Sequence, residues 1–219
     1  MPKLCVGSRL PDPLKQRERN SVSLQLEFSP KRPNPFERLV SFFEPNAYAT
    51  GFFVTDRFVV TAYHVVSGKL DLTKRLALGL GRNQELEVKV YANGCQAHVV
   101  QIDEEADLAL LEVCRPFEAT PASFQSEIHK DEEVLLIARP QRQRVVGRGT
   151  FFGSYNLNGI EYWSLKMLAR DGFSGSPVYN SRGEIIGIFS GYDWTQQVAV
   201  VSPGERAKKL LETATARSK

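Results

Sequence analysis

The sequence lacks any apolar run approaching the eighteen or so residues of a membrane-crossing helix, so no span is read in it. An excess of one charge is missing too: 28 Lys+Arg stand against 25 Asp+Glu, a net of +3. Neutralising a row of nucleic-acid phosphates takes a far larger excess, so neither nucleic acid nor membrane is expected as a partner. Cysteine is scarce and odd in number. Cys5, Cys95 and Cys114 are scattered, and neither a disulfide framework nor a zinc site is readable in them. His-Glu-x-x-His is absent, and no metal or cofactor is expected. Residues 1–20 carry Lys3, Arg9, Lys15, Arg17 and Arg19 without an apolar core, which is not a secretory signal. These absences point to a soluble protein of a reducing, cytoplasmic compartment.

Short β-like runs fill the space that helices leave. The chain has 219 residues, enough for one large domain or two small ones with buried cores. Pro2, Pro11 and Pro13 break residues 1–20 into a polar arm with no core of its own. Val22, Leu24, Leu26 and Phe28 then alternate with Ser23, Gln25 and Glu27, the period of a half-buried strand. Runs rich in aromatic and β-branched residues follow at 39–43, 51–55, 58–61, 76–80, 86–91, 97–102 and 108–113. Asp56-Arg57, Gly81-Arg82-Asn83 and Asn93-Gly94 supply turns between them. Residues 115–124, with Pro116 and Pro121, interrupt the rhythm as a linker. A second series occupies 133–138, 144–151, 160–165, 177–180, 184–190 and 197–201. Only the end reads as a helix, with Ser202 as N-cap and Pro203 at the first helical position. The expectation is an all-β protein of two packed six-stranded antiparallel barrels, 21–114 and 125–202, closed by a short helix and tail at 203–219.

Three residues stand out chemically, and each alone has an ordinary reading. Of the three histidines, His98 and His129 read as surface residues, while His64 follows the apolar strand Val59-Val60-Thr61-Ala62. Asp107 opens the apolar run Leu108-Ala109-Leu110-Leu111. It is either a strand-end cap or a carboxylate that holds an imidazole in one tautomer. Ser174 sits in Asp171-Gly172-Phe173-Ser174-Gly175-Ser176-Pro177, either a plain glycine-serine turn or a loop that exposes a nucleophile beside converging backbone N–H groups. Their order, His then Asp in one half and Ser in the other, is one of three unrelated solutions to acyl-transfer geometry. The α/β-hydrolase elbow fails, because position 176 is Ser and no histidine follows Ser174. The subtilisin order fails as well, since it needs helices throughout.

In these segments, together with Gly183-Glu184-Ile185-Ile186-Gly187-Ile188-Phe189-Ser190-Gly191, the chain resembles the trypsin-like (chymotrypsin-fold) serine proteases over about residues 36–214. Its texture is that of the HtrA/Deg-like branch, with no PDZ domain read after the closing helix. The resemblance implies the chymotrypsin-like double barrel and hydrolysis of a protein or peptide substrate through an acyl-enzyme. It assigns Ser174 as nucleophile, His64 as proton shuttle, Asp107 as its orienting acid, and the N–H groups of Gly172 and Ser174 as the oxyanion hole. It also makes Leu168 the floor of the primary specificity pocket, with Ser190, Gly191 and Tyr192 as a wall that pairs with substrate. An apolar floor favours an aliphatic or aromatic residue before the scissile bond.

Three departures from the family pattern bear on this reading. Tyr63 replaces the usual small residue before the histidine, and Ser176 a common glycine. Phe173 stands where secreted zymogens carry an Asp that pairs with a new N-terminal ammonium. Control is therefore expected through loop ordering or a regulatory protein partner. A catalytically silent peptide-binding scaffold and a viral-type polyprotein-processing protease of the same fold are the alternatives. The run Arg139-Pro140-Gln141-Arg142-Gln143-Arg144 reads as a solvated hairpin tip, since no aromatics interleave with its charges.

Overall fold

The structure is a computed structural model that describes residues 4–5, 10–31, 46–69 and 85–217. The runs at 39–43 and 76–80 and the turn Gly81-Arg82-Asn83 lie outside the described residues. No described helix is long and apolar enough to cross a membrane.

Six antiparallel strands close the first barrel: β2 (Ser21–Pro30), β3 (Asn46–Phe53), β4 (Phe58–Ala62), β5 (Leu86–Ala92), β6 (Cys95–Asp103) and β7 (Leu108–Val113). They follow in the order β2-β3-β4-β7-β6-β5, and β2 pairs with β5 to complete the ring. The alternation read in β2 turns Val22, Leu24, Leu26 and Phe28 inward, where all four are buried with Val59, Val90 and Leu111. A one-turn helix, α2 (Tyr63–Val66), leaves the end of β4.

A second ring is formed by β8 (Glu133–Ala138), β9 (Val145–Leu157), β10 (Ile160–Lys166), β11 (Pro177–Tyr179), β12 (Ile185–Asp193) and β13 (Val198–Pro203). It closes where β8 pairs with both β9 and β11. The architecture is thus the expected pair of six-stranded barrels with a C-terminal helix, α3 (Gly204–Arg217). That helix begins later than the sequence indicates. Pro203 ends β13, and Ser202 keeps the extended pairing Ile188↔Ser202 instead of capping a helix.

Two features of this fold escape the sequence pattern. The N-terminal arm has structure: a two-residue strand, β1 (Leu4–Cys5), pairs with β9, and a helix, α1 (Asp12–Arg17), follows it. Leu10 and Leu14 are buried between the barrels in one cluster with Phe52, Leu110, Ile185 and Leu210. The second is a disulfide. Ala97 faces Val113 across β6–β7, and this register brings Cys95 and Cys114 to a Cα separation of 5.9 Å, where they are bonded. Cysteine usage therefore gives no ground for assigning a reducing compartment. Cross-linking a loop with a sequence separation of 19 stabilises a fold by about 3 kcal/mol.

Candidate active site

The cleft between the barrels brings His64, Asp107 and Ser174 together. The first two come from adjoining strand ends, because Ala62 pairs with Leu108 across β4–β7. The Tyr63 N–H then donates to the Asp107 carbonyl at 3.0 Å. Asp107 adopts the left-handed conformation, φ 53°, which turns its carboxylate back toward α2. Its Oδ1 accepts the His64 backbone N–H at 2.8 Å, and its Oδ2 accepts His64 Nδ1–H at 2.8 Å. A carboxylate only accepts, so Nδ1 carries the proton. Nε2 is then left to accept the Ser174 hydroxyl, 2.9 Å away. The two side chains are unequally covered: Asp107 is 18% exposed and His64 37%, so the imidazole faces the open cleft.

Ser174 stands on a turn built by glycine. The Phe173 N–H closes onto the Arg170 carbonyl at 3.2 Å, with Gly172 at φ +85°, the geometry of a type II turn. The backbone N–H groups of Gly172 and Ser174 donate to no acceptor among the described residues, whereas Gly175 N–H bonds the Phe189 carbonyl at 2.8 Å. Phe173 is fully buried, edge-on to Phe189 at 6.1 Å, with the Arg170 guanidinium 5.9 Å from its ring. Apolar packing thus anchors the turn at the residue before Ser174.

The remaining predicted residues scatter around this centre. Ser190 takes a role not read in the sequence: β12 bulges between Phe189 and Gly191, and Ser190 Oγ donates to Asp107 Oδ2 at 2.6 Å. Gly191 faces open space, and Tyr192 packs edge-on against exposed Trp194 at 4.7 Å. Leu168 lies on the surface, 42% exposed. Asp193 accepts the Gln196 and Thr195 N–H groups and the Tyr155 hydroxyl, which hold its carboxyl below the ordinary carboxylate range. His98 and His129 are exposed and remote from the triad's bonds.

Four residues that the sequence did not assign to the site hold it in place. Thr50 N–H donates to the Ser174 carbonyl at 3.0 Å, and Thr50 Oγ1 donates to the Gly172 carbonyl at 2.8 Å. Across the cleft, Arg206 of α3 grips Asp103 with two bonds of 2.7 and 2.8 Å, just before the Asp107 turn. Tyr162 donates to the Glu105 carbonyl at 2.6 Å, and Ser202 donates to the Ala106 carbonyl. Burial pushes the Asp103 carboxyl up, but the Arg206 bonds and the Ala106 N–H outweigh it and hold it below its usual 3.8. The arginine run is a solvated tip only at Gln141, Arg142 and Gln143, which are exposed. Arg139 and Arg144 are only 26% and 23% exposed, and both face Glu18 of the N-terminal segment. No cluster of His, Cys, Asp and Glu among the described residues fits a metal ion.

Comparison with known proteins gives the same outline. The family profile described as "Trypsin-like peptidase domain" matches residues 49–188. Among solved structures, the active form of the Rv3671c protease of M. tuberculosis superposes with a TM-score of 0.64 at 19% identity, covering 97% of this chain and 90% of that one. An inactive serine-to-alanine variant of the same protease gives a TM-score of 0.61 at 17% identity, covering 98% of each chain. At such identities the likeness is one of fold.

Proposed function

Since the chain belongs to the trypsin-like peptidase family, a family of serine proteases, we propose that it is an endopeptidase working through an acyl-enzyme on His64, Asp107 and Ser174. The observation that carries this reading is the unbroken relay Ser174 Oγ–His64 Nε2, 2.9 Å, and His64 Nδ1–Asp107 Oδ2, 2.8 Å. As Ser174 Oγ attacks the scissile carbonyl carbon, Nε2 takes its proton, and Asp107 stabilises the imidazolium. The carbonyl π electrons move onto oxygen, and the unoccupied N–H groups of Gly172 and Ser174 receive that negative charge. Collapse of the tetrahedral species expels the amine, which leaves with the proton from Nε2. Water, deprotonated by the same nitrogen, then releases the acid and regenerates the serine.

The Ser190–Tyr192 edge of β12 is the surface on which the substrate residues before the scissile bond would lie as an added strand. Exposed Leu168 and the open space at Gly191 favour an apolar side chain there. A fluorophosphonate probe tests the nucleophile: the wild type labels stoichiometrically, and Ser174→Ala loses both the label and about a million-fold in kcat. Labelling that survives in Ser174→Ala assigns the nucleophile to another residue, and a wild type that never labels favours a silent peptide-binding module.

A further inference from the structure

A cavity of about 540 Å³ opens beside the oxyanion turn, with Arg19, Arg139, Arg142, Tyr48, Tyr91 and Phe117 in its wall. No Asp or Glu among the described residues lines it. The Arg19 and Arg142 side chains form no hydrogen bond or ion pair with any described residue, and the buried Arg139 Nε has no acceptor. Glu18 pairs with Arg144 at 2.7 Å and with Arg139 at 3.7 Å, and its carbonyl accepts from Arg139 Nη2 at 3.3 Å, so the cations of the wall without a partner among the described residues are Arg19 and Arg142. Gln141 and Arg142 hold successive left-handed conformations, φ 49° and 67°, in a loop fastened by the Arg142 N–H to Ser23 Oγ at 3.2 Å. Strained backbone held by its surroundings, two cations without a partner among the described residues and a preformed concavity coincide there.

The cavity's position gives the cations a use. Gly175, following Ser174, bonds the Phe189 carbonyl of β12, whereas Gly172, preceding it, packs against Pro140, the neighbour of the cavity-lining Arg139. A Cβ at Gly172 would meet Pro140 Cβ at 2.6 Å and the Tyr48 carbonyl at 3.7 Å. A substrate lying on β12 up to the scissile bond therefore leaves Ser174 toward Tyr48 and Arg139. We propose that this cavity is a subsite for acidic side chains downstream of the scissile bond, so that the protease selects substrates with Asp or Glu on the leaving-group side. The inference rests on the proteolytic reading above for its direction. Thr50 ties the two places together, since its Oγ1 accepts the Arg139 N–H at 2.9 Å while donating to the Gly172 carbonyl. A carboxylate also fits the modest net charge better than a polyanion does.

The test uses a sequence cut in an unbiased peptide library, remade with its four downstream positions as Glu or as Gln. The acidic form is expected to show roughly tenfold higher kcat/KM at low salt, the scale of one charge-assisted hydrogen bond. The ratio falls in high salt, and Arg19→Gln with Arg142→Gln brings it near one. Independently of catalysis, the Ser174→Ala protein binds a fluorescein-labelled tetraglutamate peptide more tightly than tetraglutamine, and the double arginine substitution removes that difference. Equal kcat/KM for both peptides, with normal fluorophosphonate labelling, overturns the subsite and leaves the hydrolytic reading standing. Absence of any labelling or cleavage instead overturns hydrolysis, and the binding arm then decides the subsite. Tighter capture of a single-stranded oligonucleotide than of tetraglutamate also overturns it.

Discussion

The turn that presents Asp107 is fastened across the cleft by Arg206, Tyr162, Ser202 and Ser190, each bonding a different atom of residues 103–107 or the carboxylate itself. The turn that presents Ser174 has its backbone bonded across the cleft by Thr50 alone among the described residues. Each side of the cleft thus steadies the turn on the other, with very different redundancy. Removing one tether from the acid's turn leaves others in place. Removing Thr50's hydroxyl strands a carbonyl and an N–H at once.

That asymmetry can be broken or sharpened by substitution. The largest effect is expected at the acid itself. Asp107→Asn keeps the fold but inverts the tautomer that His64 must hold, lowering kcat about ten-thousandfold in steady-state assays. Thr50→Val is nearly isosteric and unpairs the Gly172 carbonyl and the Arg139 N–H. It is expected to lower kcat roughly ten- to a hundredfold with little change in KM, and Thr50→Ser restores it. Tyr162→Phe, which removes one tether of several, should change kcat only about twofold. A loss matching that of Thr50→Val would erase the distinction between the turns.

The smallest effect concerns pH. The Asp103 carboxyl is held below 3.8 in the folded chain, so its ion pair with Arg206 stabilises the fold above the unfolded-state value. That contribution disappears as pH falls through the depressed folded value. Melting curves of wild type and Asp103→Asn should therefore differ near neutrality and converge in strong acid.

Legibility followed the distance over which each signal acts. Alternation along β2 and the glycines around Ser174 are local properties of a few consecutive residues, so the barrels and the turn that carries Ser174 could be read directly. The Cys95–Cys114 bond depends on the pairing of β6 with β7, which includes a register shift between Val99 and Gln101. No count of cysteines encodes that register. Helix α1 has six residues, too few to show a helical period, and its meaning lies in Leu14 meeting residues from both barrels. Arg139 and Arg144 looked solvated because Glu18, which draws them inward, is far away in the chain. Thr50 is an ordinary strand residue until the fold sets it beside Gly172.

The burial of Leu10 and Leu14 with Ile185 and Leu210 also has a kinetic side. During translation these leucines emerge nearly a full chain length before their final neighbours exist. The first barrel can form its ring while the seam that receives them is still unmade. Sealing that seam then becomes a late, long-range closure, the kind of step that slows folding and leaves an oily stretch available to chaperones.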